Sequence, residues 1–244
     1  MTPLVLVHGF MGGSEQWRAQ VAHNSARRKV LTPDLPGFGR NRDLPVISSI
    51  AGFADWVLDH VQAQGIERFH LLGHSMGGMI VQEMIRRAKP DAVDRLILYG
   101  TGAVGVLPGR FETIEQSKKR AAQDGASATA RRIAATWFLR RESDPAYAFC
   151  ASIAEQSAPE ALPAGLDAMQ AWSGQKGLSQ ITQPTLVLWG DGDRTYPWSQ
   201  TEMLWRTIPN SNLSVVPGAA HAVHLEKPDL FNGLIDEFLA AADD

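Results

Sequence analysis

Gly73-His74-Ser75-Met76-Gly77-Gly78 sets a serine between two glycines at the spacing G-x-S-x-G. The run follows the apolar segment Phe69–Leu72 and precedes a helical pattern, so Ser75 falls on an expected strand-to-helix turn. Such a turn strains the backbone of its central residue, and side chains two positions to either side would strike neighbouring chain. Gly73 and Gly77 remove those side chains. The Ser75 hydroxyl is then presented above the sheet, at the positive end of a helix. That arrangement suits a nucleophile; the competing reading is a glycine-rich turn with a bystander serine.

A serine hydroxyl reacts only when a base takes its proton, and the base needs an acid to fix its tautomer and stabilise its cation. Of the 7 histidines, His221 and His224 follow the last expected strand, where a base later in the chain than its nucleophile belongs. Chemistry alone does not choose between them. After the strand Thr185–Trp189, Gly190-Asp191-Gly192-Asp193-Arg194 offers two carboxylates. The other position for an acid, Gly100-Thr101-Gly102-Ala103 after the strand Arg95–Tyr99, holds none. His8-Gly9-Phe10 ends the first strand, and a backbone N–H there, with that of Met76 directly after the serine, would form an oxyanion hole.

The elements that must position these groups are legible as alternation. Pro3–Val7, Lys29–Thr32, Phe69–Leu72, Arg95–Tyr99, Thr185–Trp189 and Asn212–Val216 read as strands, and Ile50–Gln64, Met76–Ala88, Gln200–Thr207 and Glu226–Ala241 as helices. The pattern predicts an α/β fold, a mainly parallel sheet of about six strands with helices on both faces. From about Ala103 to Ser179 no strand signal occurs, and Ala130, Ile133, Ala134, Trp137 and Phe138 mark the apolar face of one helix there. Residues 104–180 are therefore expected to form a helical cap inserted into a core made of residues 1–103 and 181–244.

The chain has 244 residues, 44% hydrophobic and 20% charged, which fits one globular α/β domain with an insertion. Its 23 basic and 26 acidic residues give a net charge of −3, without the footprint of a nucleic-acid or anionic-membrane binder. The lone Cys150 makes no internal disulfide and suits a reducing compartment. Met1-Thr2-Pro3 carries no basic leader, and every apolar run is shorter than the roughly 18–20 residues of a membrane span, so a cytoplasmic protein is expected. No metal-ligand spacing and no phosphate-binding glycine motif is present, and neither a metal nor a cofactor is expected.

Together these motifs resemble the α/β-hydrolase superfamily over nearly the whole chain. His8-Gly9 resembles its oxyanion strand end, Asp34-Leu35-Pro36-Gly37-Phe38-Gly39 its D-x-P-G-x-G loop, and Gly73–Gly78 its nucleophile elbow. Gly190-Asp191-Gly192-Asp193 with Pro197 resembles the family's acid loop, which carries the acid role onto Asp193. Gly218-Ala219-Ala220-His221 with Glu226 and Pro228 resembles its histidine loop, which carries the base role onto His221. Two departures stand out. Arg40-Asn41 replaces the serine that usually follows the D-x-P-G-x-G loop, and the chain starts at the His8-Gly9 strand, which implies a compact six-stranded sheet. A serine rather than an aspartate nucleophile argues against the haloalkane dehalogenase and epoxide hydrolase branches. The expected cap is similar to that of 3-oxoadipate enol-lactonases, and the Asp34–Arg42 loop to that of pimeloyl-carrier-protein methyl ester esterases.

The resemblance and the residues together lead to a serine hydrolase of a small carboxylic ester or lactone, a small-molecule substrate cleaved through an acyl-enzyme. Ser75, Asp193 and His221 are its expected triad, and the N–H groups of Phe10 and Met76 its oxyanion hole. Met11, His74 and Val223 are expected beside the pocket. Trp137, Phe138 and Trp172 either line it or pack the cap. The basic pairs Lys118-Lys119-Arg120, Arg131-Arg132 and Arg140-Arg141 read as solvated helix faces, and His224 as structural. The alternatives are a carbon–carbon bond hydrolase of a vinylogous diketone and a receptor that keeps the fold without turnover.

Overall fold

Six apolar segments, β1 (Leu4–Val7), β2 (Val30–Leu31), β3 (Phe69–His74), β4 (Val93–Tyr99), β5 (Thr185–Gly190) and β6 (Ser211–Val216), pair in the order β2-β1-β3-β4-β5-β6. Every pairing is parallel. This computed structural model describes residues 1–107 and 113–240. Successive strand side chains point to opposite faces, and both faces are covered. Val5, Val7, Leu71, Leu96, Leu98 and Val187 enter one core, and Leu4, Leu6, Leu72, Ile97, Tyr99, Leu186 and Leu188 the other. A strand buried on both sides favours an apolar residue at every position, which is why β1 reads Leu-Val-Leu-Val; each such side chain contributes about 1.5–3 kcal/mol on burial.

The helices in chain order are α1 (Arg18–Asn24), α2 (Ile50–Ala63), α3 (Met76–Arg87), α4 (Ile114–Asp124), α5 (Ala126–Thr136), α6 (Tyr147–Ala154), α7 (Ala161–Gln170), α8 (Trp198–Thr207), α9 (Val223–Glu226) and α10 (Pro228–Ala240). Helices α2, α3 and α8 place Phe53, Val57, Met79, Ile80 and Leu204 in the first core. From α10, Phe231, Ile235 and Phe238 fill the second. Ser49 caps α2 by accepting the Gly52 N–H at 3.1 Å, and Thr113 with Gln116 forms a capping box at α4.

Several boundaries differ from the expected ones for local reasons. The predicted helix Glu226–Ala241 starts instead at Pro228, which has no N–H to give and suits a first helical position; Glu226 ends the preceding α9, and Ala241 lies outside the described residues. Helix α5 stops at Thr136, so Trp137 caps its end and Phe138 lies beyond it, rather than both extending its face. Strand β3 continues through Gly73 and His74, where β4 supplies a partner at each position. Between β4 and β5, α4 to α7 are joined by turns, with one isolated antiparallel bridge from Val104 to Ser173. In this region Lys118 pairs with Asp167, and Arg131 with Glu155 at 2.7 Å.

Candidate active site

In a parallel sheet all strands end on one side, and the loops leaving those ends converge. Ser75 sits there, between β3 and α3, at φ 57° and ψ −122°, outside the ordinary regions for a residue with a side chain. A Cβ on Gly73 would meet the Gly77 carbonyl, and one on Gly77 would meet the Val7 carbonyl, both well inside the 3.0 Å that real Cβ atoms keep. The two glycines therefore let the first turn of α3 lie against the ends of β3 and β1. Donation from Ser75 N–H to the Tyr99 carbonyl (3.0 Å) and from Thr101 Oγ1 to the Ser75 carbonyl (2.7 Å) fasten the strained residue to the end of β4 and the turn after it.

The loop after β1 lies against this elbow: a Cβ on Gly9 would stand 2.7 Å from Ser75 Cβ. His8 holds the loop in place. Its Nδ1–H donates to the Gly9 carbonyl at 2.8 Å, and its Nε2 accepts the Leu35 N–H at 3.0 Å, so the ring is neutral in one tautomer. Burial lowers its pKa, partly offset by the Gly9 bond and the nearby Asp34 carboxylate. Asp34 in turn accepts from Ser14 N–H at 2.6 Å and Ser14 Oγ at 2.9 Å. Asn41, at the departure from the expected loop pattern, donates to the Asp34 carbonyl at 2.5 Å. The N–H groups of Phe10 and Met76 make no hydrogen bond among the described residues.

Asp193 and His221 meet at 2.9 Å, Oδ2 to Nδ1, with side chains 0% and 1% exposed. The other Asp193 oxygen accepts the N–H groups of Thr195 (2.7 Å) and Tyr196 (3.1 Å), which fixes the carboxylate. The His221 ring stacks on Tyr196, centroids 5.7 Å apart and 17° from parallel, with Trp137 at 6.2 Å. A Cβ on Gly100, the residue after Tyr99, would stand 3.2 Å from His221 Nδ1, so the pair lies over the end of β4 that also binds Ser75 N–H. The Ser75 hydroxyl makes no hydrogen bond to the ring among the described residues. Asp191 does other work: its Oδ1 accepts the Gly218 N–H at 2.8 Å, closing the turn before the histidine loop.

His224 turns away, with Nδ1 3.0 Å from Tyr99 Oη and its ring 4.6 Å from Trp17. Burial lowers its pKa to about 3, with the positive charge of His221 acting in the same direction. His74 lies beneath the His221 ring at 4.5 Å and stacks on Tyr99 at 4.5 Å. Burial, then repulsion from His221 and His224, holds it well below the ordinary histidine range.

The other residues expected beside the site are spread out. Met11 is buried at φ 57°. Phe138 is edge-on to Tyr147 at 6.5 Å, and Val223 belongs to the core on the α10 side. Trp172 donates its Nε1–H to Glu83 at 3.2 Å, two turns along α3 from Ser75. No motif or spacing singles out Tyr99, and Glu226 stands out only by its place in a motif. The Glu226 carboxylate accepts the Ala220 N–H at 2.7 Å and the Leu139 N–H at 2.8 Å, while the Ala222 N–H donates to the Trp137 carbonyl at 3.0 Å. Burial raises the pKa of Glu226 against the lowering by these bonds. Cys150 is buried, its thiol pushed up to about 12 by desolvation. Among the described residues no helix is long and apolar enough to cross a membrane.

Known proteins share this architecture along its length. A carbamate hydrolase by name, RutD of Agrobacterium fabrum, is 28% identical, covering 99% of this chain and 94% of its own. A pimeloyl-[acyl-carrier protein] methyl ester esterase of Pectobacterium carotovorum is 29% identical, covering 98% and 95%. A thermophilic esterase from Thermogutta terrifontis, solved with malate bound, superposes with a TM-score of 0.89 at 27% identity, covering 99% and 90%. The family model of the α/β hydrolase fold matches residues 2–228. By that match over nearly all of its length the chain belongs to the α/β hydrolase fold family, and it is a hydrolytic enzyme.

Proposed function

We propose that this hydrolase cleaves a small carboxylic ester or lactone with Ser75 as nucleophile, His221 as base and Asp193 as its orienting acid. The observation that carries the reading is the buried 2.9 Å Asp193–His221 pair, lying over the same β4 end that fastens the strained Ser75. Because Asp193 occupies Nδ1, the Nε2 of His221 is the nitrogen that takes the serine proton, once bound substrate brings the two groups within reach. The unengaged N–H groups of Phe10 and Met76 would hold the oxyanion, each worth about 2.7–4 kcal/mol in the transition state. His221 then protonates the leaving alcohol, and water releases the acid by the reverse proton route. Residues 104–180 serve in this reading as a cap, with Trp137 beside the base.

The relatives' names support attack on the carbonyl of an ester or a carbamate, and neither carbon–carbon cleavage nor a receptor role is favoured by them. The test is a fluorophosphonate probe with mass spectrometry, followed by turnover of aryl esters, lactones and carbamates by the wild type and Ser75→Ala. A single adduct on Ser75, with hydrolysis falling about 10⁵–10⁶-fold in the variant, is the expected result. An unlabelled Ser75, or ester turnover that survives in Ser75→Ala, overturns the proposal.

A further inference from the structure

We infer that Tyr99 and His74 are positioning residues for the base: from register-paired sites on adjacent strands, both donate to the carbonyl oxygen of His221 and so fix where its imidazole stands. The inference rests on the reading of His221 as the base. His221 itself lies in no regular element, between the end of β6 at Val216 and the start of α9 at Val223. No ladder of strand hydrogen bonds fixes its backbone, yet a base displaced by about 1 Å can lose about 100-fold in rate. Strands β3 and β4 supply what the loop lacks. His74 and Tyr99 are direct register partners, and both project to the same side of the sheet, beneath the loop.

Tyr99 Oη lies 2.8 Å and His74 Nε2 3.0 Å from the His221 carbonyl oxygen. A carbonyl only accepts, so Tyr99 gives its hydroxyl proton and His74 carries its proton on Nε2. Both lone-pair directions of that oxygen are then used. With its proton committed, the Tyr99 oxygen accepts from His224, from the backbone N–H at 3.2 Å and from Nδ1–H at 3.0 Å. One phenol thereby spans His221 and His224 and closes the loop upon itself. The carboxylate acts on the ring of His221 and the two donors on its backbone, so the side chain is fixed at both ends. Burial keeps His74 neutral, so the ring packed 4.5 Å below His221 adds no second positive charge when the base is protonated.

The test compares Tyr99→Phe, His74→Leu and His74→Gln with the wild type in ester turnover, in the rate of Ser75 phosphonylation and in thermal unfolding. Tyr99→Phe removes one hydroxyl and no ring, and His74→Gln keeps an amide donor at similar reach. The expected result is a fall in kcat of about 10- to 100-fold for Tyr99→Phe and His74→Leu, with KM within about twofold. Phosphonylation of Ser75 slows in parallel, and His74→Gln recovers most of the loss. Wild-type kcat in Tyr99→Phe, or a loss expressed in KM alone, overturns the inference. So does a His74→Gln as slow as His74→Leu. If His74→Leu does not fold, Tyr99→Phe decides. Failure of the underlying reading looks different: wild-type Ser75 itself would not react with the probe.

Discussion

Replacing His224 with asparagine and unfolding the protein at two pH values measures how much of its stability depends on neutral buried histidines. His224 has a pKa of about 3 against an ordinary value of 6.5. Below pH 6.5 the unfolded chain takes up a proton at this position that the native state refuses. The stabilisation is therefore complete above pH 6.5 and is lost progressively as the pH falls toward 3. At about 1.36 kcal/mol per unit, moving from pH 6.5 to 5 costs about 2 kcal/mol through this one ring. Asparagine presents an amide N–H toward Tyr99 in place of Nδ1–H but cannot titrate. Urea unfolding at pH 7.5 and pH 5 should show the wild type losing about 2 kcal/mol more than His224→Asn. Any fixed cost of the substitution cancels in that difference. His8 and His74, also lowered by burial, act in the same direction but remain in both proteins. Equal losses in the two proteins would refute the assignment of His224 as a neutral core group.

Other outcomes follow from the elbow and the acid loop. Gly77→Ala forces a Cβ onto the Val7 carbonyl and should cost about 3 kcal/mol or more in denaturant unfolding; a change below about 0.5 kcal/mol would contradict the close packing of α3 on β1. Asp193→Asn should lower kcat by about 10³–10⁴-fold with little loss of stability, because the amide can hold the histidine in the wrong tautomer. Asp191→Asn, which alters only the contact to the Gly218 N–H, should leave kcat within about threefold and lower stability by about 1 kcal/mol. Reversal of these two effects would exchange the roles of the aspartates.

The elbow was readable from sequence because its requirement is local: two glycines must flank a serine where one turn of helix lies against two strand ends. Strands β1 and β5 were readable because burial on both faces selects apolar residues at nearly every position. The choice between Asp191 and Asp193, or between His221 and His224, was not available from residue chemistry, since both members of each pair have the right groups. Resemblance to a family selected one of each, and the geometry accounts for the others: Asp191 closes a turn, and His224 rests on Tyr99. Tyr99 itself was hidden. Its partners lie 122 and 125 residues away, on the segment that follows β6, and no spacing in the sequence signals that approach. The end of α5 was misjudged because an apolar period of 3.6 continues through Trp137 and Phe138, although the backbone has already left the helix.

The bonds from residues 137–139 to residues 220–226 have a consequence for anyone who wishes to redesign substrate choice. Trp137 and Leu139 leave α5 and are laced to the same short segment that carries His221, through Ala222 and Glu226. A graft of foreign helices in place of residues 104–180 would cut this seam and leave the Glu226 carboxylate facing one N–H instead of two. Transplants that carry both margins of the seam should keep His221 in register, whereas those that bring the helices alone should shift it and lower the rate.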